Sequence, residues 1–128
     1  MKRRRFITAS ALLGCVGFGF GMRPKKKQLL HHVFFWLKNP NSEFDKQELL
    51  SGLKTLEVIP VVRQIHIGLL ASTEPREVVD TSWQVSELLY FDNEVDQKIY
   101  QDHPIHQAFV KNYSHLWQKV VVYDMVEV

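Results

Sequence analysis

After residue 28 the first sustained run of apolar side chains, residues 29–38, reads Leu-Leu-His-His-Val-Phe-Phe-Trp-Leu-Lys. Its length and its aromatic and branched content predict a strand. Alternation sends His31, Val33, Phe35 and Leu37 to one face and His32, Phe34 and Trp36 to the other, and neither face is polar. Asn39-Pro40-Asn41-Ser42 is a turn. Leu49, Leu53 and Leu56 then recur at helical spacing with Leu50 beside them. They predict a helix with a capping box at Asp45 and Glu48, a hydrophobic staple of Phe44 and Leu49, and an end before Pro60. Residues 61–70 form a second strand, with Ile65, Ile67 and Leu69 on one face and His66 on the other. Residues 71–82 hold Pro75 and no sustained period, which marks a loop. In a third strand over 83–91, Trp83, Val85, Leu89 and Phe91 share one face, and Leu88 and Tyr90 the other. Asp92-Asn93 starts a short helix ending near Tyr100, and Pro104 opens another. That second helix carries two neighbouring stripes, Ile105, Ala108, Phe109 and Leu116 beside His106, Val110, Tyr113 and Trp117. Residues 119–128, rich in valine, close the chain as a fourth strand.

Strand, helix, strand, strand, helix, strand is the ferredoxin-like β-α-β-β-α-β order, an α+β class in which an antiparallel sheet carries its helices on one face. The opposite face normally meets water and reads polar. Here Val33 with Phe34, Leu88 with Leu89, and the run Val120-Val121-Val122 make both faces apolar. An apolar face of that size calls for a cover, and a second copy of the chain is the simplest one. A homodimeric α/β barrel follows, with clefts at the strand ends that suit a small-molecule ligand.

The 128 residues, 45% of them hydrophobic, suffice for one core. The net charge of +2 comes from a leader: beyond residue 22 the balance is 12 basic against 14 acidic. Residues 1–22 place Lys2, Arg3, Arg4 and Arg5 before a glycine-broken apolar stretch too short for a membrane span, which is the layout of an export signal. Arg3-Arg4-Arg5-Phe6-Ile7-Thr8 resembles a twin-arginine motif, and Leu12-Leu13-Gly14-Cys15 resembles a lipoprotein processing box except at Leu13. The chain is therefore expected to be exported and periplasmic, touching membrane only through a leader that is retained or lipidated at Cys15. Residues 23–28 form a basic linker, a solvated tether and no nucleic-acid footprint, and the domain proper spans 29–128. Cys15 is the only cysteine, so neither disulfides nor thiolate chemistry enter the domain.

Titratable chemistry concentrates in Tyr100-Gln101-Asp102-His103-Pro104-Ile105-His106. Pro104 suits the first helical position, which makes His103 the cap and sets His106 in the first turn. There the helix dipole favours a neutral imidazole, able to accept a proton, beside a Tyr100 hydroxyl able to donate. The plainer reading is that both side chains satisfy local backbone groups or cover the core edge. His103 and His106 with His31 or His32 are the one candidate metal set. Pro104 disturbs their spacing and no carboxylate supports them, so neither metal nor organic cofactor is expected.

Three segments together resemble the stress-responsive dimeric α/β-barrel (Dabb) domain: His31-His32-Val33-Phe34-Phe35-Trp36-Leu37-Lys38, the Tyr-x-x-His-Pro-x-His stretch from Tyr100 to His106 with Gln107-Ala108-Phe109, and Val120-Val121-Val122-Tyr123-Asp124. The resemblance implies a homodimer and no single activity. It matches the histidine base of a plant polyketide cyclase of this type to His106, its helper tyrosine to Tyr100 and its leading histidine to His31. A further pocket tyrosine of that enzyme falls at Gly52, which speaks against the same cyclisation here. Two functions are expected. One is binding of a small apolar or aromatic molecule among Trp36, Phe91, Tyr113 and Trp117, with His106, Tyr100, His31 and His103 as polar contacts. The other is cofactor-free lyase, cyclase or isomerase chemistry, with His106 as general base and Tyr100 stabilising an enolate oxygen.

Overall fold

The computed structural model describes residues 26–128; the expected export signal, Cys15 and the first half of the basic linker lie outside the described residues. Period-two alternation sets the architecture. Strand β1 (Leu29–Leu37) buries every odd position and leaves the even ones half-buried. It lies between β3 (Val85–Phe91) and β4 (Trp117–Val126) in a four-stranded antiparallel sheet of order β2-β3-β1-β4, with β2 (Gln64–Leu69) at the edge. Helices α1 (Glu43–Lys54), α2 (Glu94–Asp102) and α3 (Pro104–Tyr113) supply the helical layer. The core lies between sheet and helices, where Val33, Phe35, Leu37, Leu49, Leu53, Leu89, Phe91 and Phe109 form one cluster.

Several boundaries differ from the sequence expectation, each for a local reason. The α1 cap is Ser42, whose Oγ accepts the Asp45 N–H at 3.1 Å, so Asp45 is the third helical residue rather than the start of a capping box. Phe44 is 72% exposed and staples nothing. After Lys54 the helix tightens into a 3-10 turn, Thr55–Val58, which keeps Leu56 in the core. A turn closed by the Val62 N–H on the Ile59 carbonyl at 3.0 Å then delays β2 to Gln64. Residues 83 and 84 belong to the loop before β3. A 3-10 turn, Ser114–Leu116, ends the α3 stripe early and hands Trp117 to β4.

The sheet's other face shows Leu30, His32, Phe34, Trp36, Leu88, Tyr90, Val121, Tyr123 and Met125, with Tyr123 66% exposed. Among the described residues, no helix is long and apolar enough to cross a membrane.

Helices α1 and α3 meet at Gly52, where a Cβ would stand 2.7 Å from Cδ2 of Tyr113. Glycine is required there by close approach and not by backbone angle. Gly52→Ala should therefore destabilise the fold by roughly 1–3 kcal/mol through overpacking, although alanine is the better helix former. Urea unfolding checks this, and in a Tyr113→Ala background the same change should turn stabilising.

Candidate functional site

The site grows from the joint between α2 and α3. Asn93 caps α2 by accepting the Asp96 N–H at 2.8 Å, and the helix runs on to Asp102. His103 is extended at φ −64° and ψ 139°, the conformation a following proline enforces, and Pro104 starts α3. The His103 Nδ1 accepts the Ile105 N–H at 3.1 Å, so this ring caps the new helix. The change of axis turns Tyr100, near the end of α2, and His106, in the first turn of α3, towards each other with ring centroids 4.7 Å apart.

His106 Nδ1 lies 3.1 Å from the Gln101 carbonyl oxygen. A carbonyl only accepts, so Nδ1 carries the hydrogen and Nε2 keeps its lone pair. Burial depresses the His106 pKa; the Gln101 bond opposes this, and neighbouring His31 adds to the depression. The imidazole is thus a neutral acceptor near pH 7. The expected neutrality holds, with burial in place of the helix dipole as its main cause. His31 faces the same space from β1. Its Nδ1 lies 2.5 Å from Oδ1 of Asp124, its cross-strand partner on β4, which fixes the ring and leaves Nε2 as its other nitrogen.

Two further groups complete the polar set. Tyr100 is 1% exposed and among the described residues its hydroxyl has no hydrogen-bond partner. Burial first, and then the charge Glu87 would carry, push its pKa well above the ordinary phenol value. Glu87 is 3% exposed on the inner face of β3, between Val33 on β1 and Ile67 on β2, and its Oε2 has no partner either. Burial pushes its pKa up to about 8, so it is mostly a neutral carboxylic acid near pH 7.

These groups border a cavity of about 230 Å³ between sheet and helices. His31, Glu87, Tyr100, Gln101 and His106 are its polar lining, and Phe35, Phe109, Trp117 and four valines (Val33, Val110, Val120, Val122) its apolar wall. Of the residues singled out in the sequence, the cavity brings together His106, Tyr100, His31 and Trp117. Phe91 stands one layer behind, 5.1 Å from Tyr100 and 6.1 Å from His31 between ring centroids. Tyr113 stacks on Phe109 at 5.7 Å and does not line the cavity. His103 is spent on its cap.

Trp36 is on the wrong side of the sheet for this pocket, because it is one residue out of phase with Phe35 and Leu37. Its Nε1 donates to Ser82 Oγ at 2.9 Å and Lys119 Nζ sits 4.6 Å from its ring centre. His32 shares that far face and His103 Nδ1 is taken by the Ile105 N–H, so of the candidate metal set only His31 and His106 border one space. Among the described residues no three His, Cys, Asp or Glu side chains gather as a metal site would need.

Sequence reasoning passed over Glu87 and gave Asp124 no role. Glu87 had a signal: it stands at period two between Val85 and Leu89, on a face otherwise apolar. Asp124 needed the β1–β4 register, which no local pattern states.

An antiparallel sheet with helices on one face, in this strand order and with the cavity between the layers, defines an α+β domain of ferredoxin-like topology. Residues 29–127 match the family model of the stress responsive A/B barrel domain (Dabb), and the chain belongs to that family. No curated protein sequence matches it. Solved structures do. A dimeric protein of unknown function and ferredoxin-like fold from Bacteroides fragilis is 26% identical, with TM-score 0.60 over 77% of this chain and 94% of its own. A Dabb family protein with a ferredoxin-like fold from Mesorhizobium loti is 23% identical, with TM-score 0.66 over 80% of this chain and 98% of its own. The hydroxynitrile lyase from Passiflora edulis is 17% identical, with TM-score 0.66 over 80% of this chain and 95% of its own. At such identities the last two speak for the fold alone.

Glu87 also marks stability. It holds its proton more tightly folded than unfolded, so its stabilising contribution is complete below about pH 4.5 and is lost as pH rises through about 8. Glu87→Gln removes that titration. The variant's stability relative to wild type should rise by roughly 4 kcal/mol between pH 5 and pH 8.5 in urea unfolding. An equal gap at both pH values would contradict a buried, neutral Glu87.

Proposed function

We propose that this chain is an exported domain that forms a homodimer and binds a small molecule with an apolar or aromatic body in the Tyr100–His106 cavity. One observation carries the binding reading: an apolar space of about 230 Å³ whose polar lining includes His106, Tyr100 and Glu87, three groups held uncharged near neutral pH. Such a site favours an occupant without formal charge, since a charge would be desolvated against apolar walls. Pairing rests on the far face of the sheet, where Leu30, Phe34, Leu88, Val121 and Met125 make a patch that a second copy would cover. Dimeric neighbours of the same fold support it. The export part rests on residues 1–22 alone, with their basic start, glycine-broken apolar stretch and twin-arginine-like motif.

A second reading, cofactor-free proton transfer in a lyase, cyclase or isomerase, is favoured by the free Nε2 of His106 beside the Tyr100 phenol. A fold neighbour from Passiflora edulis is a hydroxynitrile lyase. In this reading Nε2 takes a proton from the substrate while the phenol donates a hydrogen bond to the oxygen that gains charge.

Three measurements test these readings. Amide NMR during titration with acetophenone should show shifts confined to the α2–α3 joint and the inner face of β1, weakened in His106→Ala. An absence of shifts there would overturn the binding reading. Deuterium exchange at the acetophenone methyl group, catalysed by wild type and lost in His106→Ala, would favour the enzyme. Sedimentation should find a dimer at micromolar concentration and a folded monomer for Phe34→Glu; a monomeric wild type would overturn the pairing.

A further inference from the structure

We propose that Glu87 is a ligand-contacting residue, and that its carboxyl and the Tyr100 phenol together donate hydrogen bonds to one carbonyl oxygen of the bound molecule. The inference rests on the binding reading and narrows its ligand class to uncharged ketones, aldehydes or esters with an apolar body. Both groups line the same cavity, both are at least 97% buried, and each leaves an oxygen without a partner. Buried polar atoms are nearly always satisfied, so two orphan oxygens carried by residues that line one cavity call for a third group that accepts from both. They are near enough for a charge on Glu87 to raise the Tyr100 pKa.

The surroundings of Glu87 support a donor and not a counter-ion. Its cross-strand neighbours are Val33 and Ile67. The titratable groups sharing the cavity are Tyr100 from α2, His106 from α3, and His31 from β1, itself tied to Asp124 of β4. Among the described residues, no lysine or arginine lines the space. A carboxyl there keeps its proton, in line with a pKa near 8, and offers an O–H. A carbonyl oxygen has two lone pairs and can accept from both donors at once, whereas a ligand carboxylate would bring a charge that nothing cationic on this wall offsets.

Three probes of one skeleton test it: acetophenone, its hydrocarbon counterpart cumene, and the cationic 1-phenylethylamine, each titrated calorimetrically into full-length protein. Wild type should prefer acetophenone over cumene about tenfold near pH 7, and the preference should fade above about pH 8 as Glu87 ionises. Glu87→Leu should lose the preference, binding acetophenone no more tightly than cumene. Glu87→Gln, which keeps an N–H donor and cannot ionise, should keep the preference and lose its pH dependence. Equal affinity for ketone and hydrocarbon in wild type, or a preference that survives in Glu87→Leu, overturns the inference while leaving cavity binding intact. Tighter binding of the amine overturns it in favour of a carboxylate role. Binding of no probe defeats the binding reading and this inference with it.

Discussion

Everything at the site depends on the break between Asp102 and Pro104. In one continuous helix, residues six apart diverge by about 120° around the axis, so Tyr100 and His106 could not face the same space. His103, held extended by the proline after it and bonded to the Ile105 N–H, redirects the axis and closes their rings to 4.7 Å. The same break leaves the Gln101 carbonyl at the end of α2 without a helical partner, and His106 Nδ1–H takes it. One backbone event thus sets the position and tautomer of the candidate base, while burial keeps it neutral.

That geometry has a cost in stability, met by the packing around it. A buried polar atom without a partner costs about 1–3 kcal/mol, and Glu87 and Tyr100, which line this cavity, each carry one. The apolar cluster of Phe35, Leu53, Leu89, Phe91 and Phe109 offsets it, with the Tyr100 ring itself packed edge-on against His31 and tilted against Phe91. Local rules broken at one place inside an otherwise consistent core point to function at that place. The two faces of β1 divide the labour: odd residues build core and site, and even residues build the apolar surface assigned to a second copy.

The fold was legible because its strands state their period openly. Residues 29–38 and 83–91 alternate, Leu49, Leu53 and Leu56 do not, and Pro104 announces the second helix start. The expected four-stranded antiparallel sheet with helices on one face is the one observed. Half of the site was legible too, since Tyr100 and His106 sit in one short segment and His31 in the first strand. The failures were failures of phase and of distance. Trp36 was drawn into the pocket by its aromatic character although its neighbour Phe35 already faced that way. The turn residues Asn39-Pro40-Asn41 hide Ser42 as the cap, which lies three residues before the expected one. Glu87 was passed over because a lone acid in a strand reads as solvent-facing, and Asp124 pairs with His31 across 93 residues of chain.

Nitrogen NMR of the histidine side chains across pH probes the break's chemical consequence most directly. His106 should appear at neutral pH as the Nδ1–H tautomer and should protonate only below the ordinary value of 6.5. An Nε2–H tautomer, or a ring already charged at pH 7, would contradict a neutral base held by Gln101.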